Sequence, residues 1–230
     1  VIFTGLVAGT IYNWTNNNTT IGLGTNGIDS IPNFNAINTS NSPVTATIVI
    51  TPSANGCIGS TTSYTYTVNP TPTVDSVSSQ ILCNNATTAP INFTGYVLGT
   101  TYSWVNSNTT IGLAASGTGN IASFTATNVT LLPISGTITL TISANGCIGN
   151  PFTFTITVQP TPLVDPISNQ SICNGANSTA VIITGSTPGS VFNWTNSDTS
   201  IGLGASGVDS IPSYTGINNG ATNVTSTITV

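Results

Sequence analysis

The chain has 230 residues with no Lys, Arg, His, Met or Glu, and its only acidic residues are Asp29, Asp75, Asp165, Asp198 and Asp209. General acid–base chemistry near neutral pH uses imidazole, or carboxyl and amine groups whose environments push their pKa values apart, and nucleic-acid affinity uses cations that neutralise phosphates. The composition therefore argues against an enzyme, a cofactor or a nucleic-acid partner, while an apolar fraction of 38% is enough to form cores.

In chain order, Gly9 opens the block GTIYNW, which ends at Trp14, and Thr20 opens TIGL. The blocks return as GTTYSW from Gly99 with TIGL from Thr110, then as GSVFNW from Gly189 with SIGL from Ser200. Trp14, Trp104 and Trp194 thus stand 90 residues apart (104 − 14 and 194 − 104), and the pairs Cys57/Cys147 and Cys83/Cys173 repeat at the same interval. A fixed period without insertions marks a tandem repeat. The boundaries are PTPTVD at 70–75 and PTPLVD at 160–165. Proline at alternate positions keeps such a link extended and removes backbone donors.

The expected domains are a partial repeat at 1–70 that lacks its first strand, a complete repeat at 71–160, and a partial repeat at 161–230 that lacks its last strands. The chain reads as a window cut from a longer array. Within the complete unit, strands are expected at Ile91 to Gly95, Thr101 to Val105 and Ile121 to Thr127. Ile138, Leu140 and Ile142 then alternate with Thr, as do Phe152, Phe154, Ile156 and Val158 beyond a turn at 145–150. That period of two describes an antiparallel hairpin, apolar inward and Thr outward. About seven short strands per unit predict an all-β fold of immunoglobulin-like sandwiches in an extended array. Trp14, Trp104 and Trp194 take one fixed strand position in every copy, which assigns them to the core rather than to a ligand platform. No stretch approaches the roughly 20 apolar residues of a membrane helix, so no membrane insertion is expected.

Two cysteines per unit, with no His and no CxxC pair, argue against a metal site and for disulfides in an oxidising compartment. Spacing leaves two connectivities open: Cys83 with Cys147 inside one unit, or Cys57 with Cys83 and Cys147 with Cys173 across the linkers. Asp75 and Asp165 recur beside the prolines, but one carboxylate per junction falls short of the six to eight oxygens that calcium takes. Asp198 and Asp209 align with Asn108 and Gly119 of the middle unit, so they form no carboxylate pair common to the repeat.

The order of Cys, Gly-Thr-x-Tyr-x-Trp, Ile-Gly-Leu, Asn-Gly-Cys-x-Gly, a Thr-alternating last strand and Pro-x-Pro resembles the PKD-like and Ig-like tandem repeats of Bacteroidota cell-surface adhesins. Such proteins are commonly exported by type IX secretion, and some act in gliding motility. The resemblance implies a bond between Cys83 and Cys147, with Cys57 and Cys173 paired outside the segment. Asp29-Ser30-Ile31, Asp75-Ser76-Val77 and Asp209-Ser210-Ile211 are similar to the O-glycosylation acceptor motif of the same bacteria, with Ser30, Ser76 and Ser210 as acceptors. The Asn-x-Ser/Thr sequons at Asn13, Asn108 and Asn193 follow from an Asn- and Thr-rich composition. The function expected is a structural stalk or filament segment of an extracellular adhesin. Its partners would be neighbouring repeats and, by lateral self-association, other arrays. A glycan- or protein-binding module acting by avidity is the alternative.

Overall fold

The computed structural model describes residues 1–230, and its regular secondary structure is β-strand apart from three short 3-10 turns. Residues 1–70 carry β1 (Ile11–Asn16), β2 (Asn26–Ile28), β3 (Val44–Ala54), β4 (Cys57–Ile58) and β5 (Thr62–Val68). The middle unit carries β6 (Gln80–Cys83), β7 (Thr101–Asn106), β8 (Ser116–Thr118), β9 (Ile134–Ala144), β10 (Cys147–Ile148) and β11 (Phe152–Gln159). The last unit carries β12 (Val181–Ile182), β13 (Asn193–Asn196), β14 (Ser206–Val208), β15 (Ser210–Ile211) and β16 (Ile228–Thr229).

Alternation builds the middle sheet. Ile138, Leu140 and Ile142 of β9 and Phe154, Ile156 and Val158 of β11 are all buried, while the threonines between them face water. The two strands pair antiparallel with Phe154 opposite Ile138. At the tip of β9, Asn145 and Gly146 have φ of 50° and 79°, the left-handed pair that a two-residue hairpin turn requires. The sheet order is β6-β11-β9-β7-β8, with β10 also on β9. β6 closes one edge by pairing parallel to β11, Cys83 beside Gln159.

The facing layer is sparser than the sequence predicts. The segments expected as strands at Ile91 to Gly95 and Ile121 to Thr127 meet in the single bridge Ile91–Ile121, and a second bridge joins Thr125 to Thr87, ahead of the expected strand. Side chains take over part of the ladder: the Phe93 N–H donates to Asn120 Oδ1 at 2.8 Å and the Phe124 N–H to Thr88 Oγ1 at 3.0 Å. Short polar side chains that bond backbone groups in this way compete with regular strand pairing.

Between the layers of the middle unit lies a core of 13 buried residues, against 7 in residues 1–70 and 4 in the last unit. Residues 1–70 keep the β3–β5 hairpin but lack a counterpart of β6, and the last unit lacks half of its hairpin. Residues 161–230 correspond to 71–140 and so carry no counterpart of β11, and a groove of about 440 Å³ lined by Ile167, Val181, Ile201, Ile211, Tyr214 and Ile228 runs along the last unit.

Candidate interface at the unit junctions

The linkers are docked onto the units rather than free. Pro70 and Pro72 are fully buried, and the Asp75 N–H donates to the Thr94 carbonyl at 2.8 Å while Thr94 Oγ1 donates to Asp75 Oδ2 at 2.6 Å. Asp165 repeats both bonds with Thr184, at 2.8 and 2.7 Å. These two carboxylates, considered for calcium from the sequence, therefore pin the linker to the following unit.

Glycine lets the linker approach. A Cβ on Gly95 would lie 2.2 Å from the Thr73 carbonyl oxygen, and one on Gly185 would lie 2.0 Å from that of Leu163. An aromatic ring stands beside each: Tyr102 in the middle unit, whose hydroxyl is 2.9 Å from that Cβ position, and Phe192 in the last. Burial, and secondarily the Asp75 carboxylate, hold the Tyr102 phenol above its usual pKa of 10.0.

Two hydrogen bonds reach across the junctions. Asn69 Nδ2, at the end of the first unit, donates to the Asn145 carbonyl in the β9–β10 turn at 2.8 Å. At the other end of the middle unit, Asn84 Nδ2 donates to Thr161 Oγ1 of the second linker at 3.0 Å. The hairpin behind Asn145 also covers the first linker, since a Cβ on Gly149 would lie 2.2 Å from the Pro72 carbonyl oxygen. Pro162 has no such cover and is exposed.

The structure separates the cysteines that the resemblance pairs. Because β6 runs parallel to β11, Cys83 lies beside Gln159 at the C-terminal end of β11, whereas Cys147 sits in β10, opposite Ala144 and before β11 begins. The eight residues of β11 alone hold them more than about 20 Å apart, far beyond the Cα separation of about 4.4–6.8 Å that a disulfide spans. The strand directions thus contradict the pairing of Cys83 with Cys147, and no disulfide joins any two of the four cysteines within residues 1–230. The alternative pair Cys57 and Cys83 is more distant still, since the two lie at the outer ends of consecutive units.

Trp14, Trp104 and Trp194 are at most 7% exposed and lie within the three core clusters. Trp14 Nε1 donates to the Ser30 carbonyl and Trp194 Nε1 to that of Ser210, each at 2.8 Å, whereas Trp104 Nε1 is buried without a partner. Asp29 and Asp209 occupy left-handed turn positions, with φ of 62° and 58°, where the middle unit has Gly119 at 68°. Their side chains accept the N–H groups of Tyr12 and Phe192 at 2.9 and 2.8 Å. Ser30, Ser76 and Ser210 are exposed.

Asparagine has a role that composition alone concealed. Asn106, 5% exposed, donates through Nδ2 to the Leu113 carbonyl at 3.0 Å and accepts the Asn108 N–H at 3.0 Å, closing the loop that carries TIGL. Asn16 and Asn196 do the same in their units. Asn18, Asn108 and Asp198 then cap the 3-10 turns that begin one residue later. This use engages the side chain of the sequon residue Asn108, and bonds from Ser200, side chain first and then backbone, draw the Asp198 carboxyl below its usual pKa. The available signal was positional: Asn16, Asn106 and Asn196 are identical in all three copies.

Fold and junctions together define a tandem of immunoglobulin-like β-sandwich modules. Residues 77–162, the greater part of the middle unit, match the PKD-like domain family. Domains of this class are typically extracellular and non-catalytic. No curated protein matches the chain. Among solved structures, Dpr2 Ig1-Ig2 in complex with DIP-Theta Ig1-Ig3 aligns over 92% of this chain and 81% of that one, at 11% identity and a TM-score of 0.34. Protocadherin Gamma B2 extracellular cadherin domains 3-6 align over 92% and 60%, at 14% identity and a TM-score of 0.36. Chicken CNTN1 FN1-FN3 domains align over 90% and 79%, at 9% identity and a TM-score of 0.28.

Proposed function

We propose that the chain is a structural stalk segment of a large repetitive extracellular adhesin, of the kind its motifs resemble, and that it supplies length and stiffness rather than recognition. The observation that supports this most is the docked junction. Pro72 is fully buried and Asn69 bonds the turn of the next unit, so the linker is an ordered part of the assembly instead of a flexible tether. An array built this way grows by a constant step, about 33 Å for ten strand residues. Stability then resides in each core and its neighbour contacts.

Small-angle scattering on chains of increasing unit number tests the proposal. A rod-like profile whose maximum dimension rises linearly with unit number supports a stiff spacer. A square-root dependence would mark flexible tethers and overturn it. Specific binding of the soluble chain to a glycan array or to cells would favour recognition by avidity instead.

A further inference from the structure

We infer that consecutive units of such an array are joined covalently by a disulfide between the cysteine of β6 in one unit and the Asn-Gly-Cys cysteine of the next. The inference rests on the array reading above. Its geometric basis is that both cysteine-bearing elements converge on the same linker from opposite sides. Cys83 pairs with Gln159 at the end of the middle unit, and its neighbour Asn84 bonds Thr161. One unit earlier, the residue in the place of Gln159 is Asn69, and its side chain bonds Asn145, two residues before Cys147. A cysteine placed beside Asn69 as Cys83 is placed beside Gln159 therefore faces the turn that carries Cys147.

The linker contacts agree. Asn84 touches the linker at Thr161, and the hairpin of the following unit covers the linker at Pro72, whose counterpart Pro162 is the very next residue after Thr161. Cys83 is exposed and Cys147 half-buried, so both thiols are accessible to exchange. Neither pair is complete within residues 1–230. The position one unit before Cys83 precedes Val1, and the position one unit after Cys147 follows Val230.

The chemistry is thiol–disulfide exchange with a disulfide donor such as oxidised glutathione. The thiolate of one cysteine displaces one glutathione, and the second cysteine attacks the mixed disulfide and releases the other. Two S–H bonds are lost and one S–S bond forms in the protein, while both electrons and both protons leave in two molecules of glutathione.

Two extended chains test the assignment independently. A copy of residues 141–160 placed after Val230, which holds the position of Leu140, completes the last unit and adds a third Asn-Gly-Cys turn. A copy of residues 71–90 placed before Val1, which holds the position of Ile91, completes the first unit and adds a β6 cysteine. After refolding in a glutathione redox buffer, non-reduced chymotryptic peptides are mapped by mass spectrometry. The expected bonds are Cys83 to the added C-terminal cysteine in the first chain and Cys147 to the added N-terminal cysteine in the second, each near-stoichiometric, with the other thiols open to alkylation. Cys83→Ser abolishes the first bond and leaves circular dichroism unchanged. A Cys83–Cys147 bond, or full alkylation of Cys83 and Cys147 in extended chains that circular dichroism shows to be folded, would overturn the inference. Linear growth of the array in scattering would survive that result, so failure here is distinguishable from failure of the spacer reading.

Discussion

Gly117→Ala probes the packing of the tryptophan position directly. Gly117 faces Trp104 across the β7–β8 pair, and a Cβ there would lie 2.3 Å from Cζ2 and 2.7 Å from Cε2 of the indole. Ordinary carbon contacts are about 3.5–4.0 Å, so ring or strand must move by more than about 1 Å within a core where Trp104 is 7% exposed. Overpacking of this kind costs about 1–3 kcal/mol. Gly117 does not have positive φ, so alanine recovers about 0.4–1 kcal/mol through the unfolded chain, leaving a mid-range net loss of about 1.3 kcal/mol. With Trp14→Phe and Trp194→Phe in the background, Trp104 emission reports the middle unit alone, and a urea dependence near 1 kcal/mol per molar lowers the midpoint by about 1–2 M. Ala114→Gly is the control, because Gly24 and Gly204 at its place have open space around the Cβ position. An unchanged midpoint and emission in Gly117→Ala would refute the packing argument.

Three further substitutions test hydrogen bonding, titration and linker docking. Trp104→Phe removes a buried donor that lacks a partner, whereas Trp14→Phe breaks a 2.8 Å bond to Ser30, so the first is milder by about 1–3 kcal/mol in unit-resolved denaturation. Tyr102 has a raised pKa, so its neutral form stabilises the middle unit fully below pH 10.0, and that contribution falls as pH rises from there through the folded-state pKa. Tyr102→Phe removes this alkaline loss, and the last unit, with Phe192 at the same position, does not show it. Gly95→Ala collides with the Thr73 carbonyl and undocks the linker; the readout is faster thermolysin cleavage at 70–75 while the core of the middle unit stays protected, and unaltered cleavage would count against the docked junction.

The sequence alone carried whatever depends on local period. The alternation of Ile138, Leu140 and Ile142 with Thr defines a half-buried strand whatever surrounds it, Asn145-Gly146 defines the turn after it, and the recurrence of Trp14, Trp104 and Trp194 defines the unit. The copies also served as an internal test, since Gly117 and its counterparts Gly27 and Gly207 remain glycine where the indole leaves no room. The asparagines at 16, 106 and 196 were equally repeated, yet an Asn-rich composition hid them until their bonds were seen. Tertiary structure alone decided direction and proximity. Spacing states how many cysteines a unit has, but the parallel pairing of β6 with β11 sends Cys83 to the opposite end of the sandwich from Cys147, and strand direction is a long-range property that no local period encodes. The same reason hid the role of Asp75 in the linker: its hydrogen-bond partner, Thr94, lies 19 residues away in sequence and meets it only when the linker folds back against the unit.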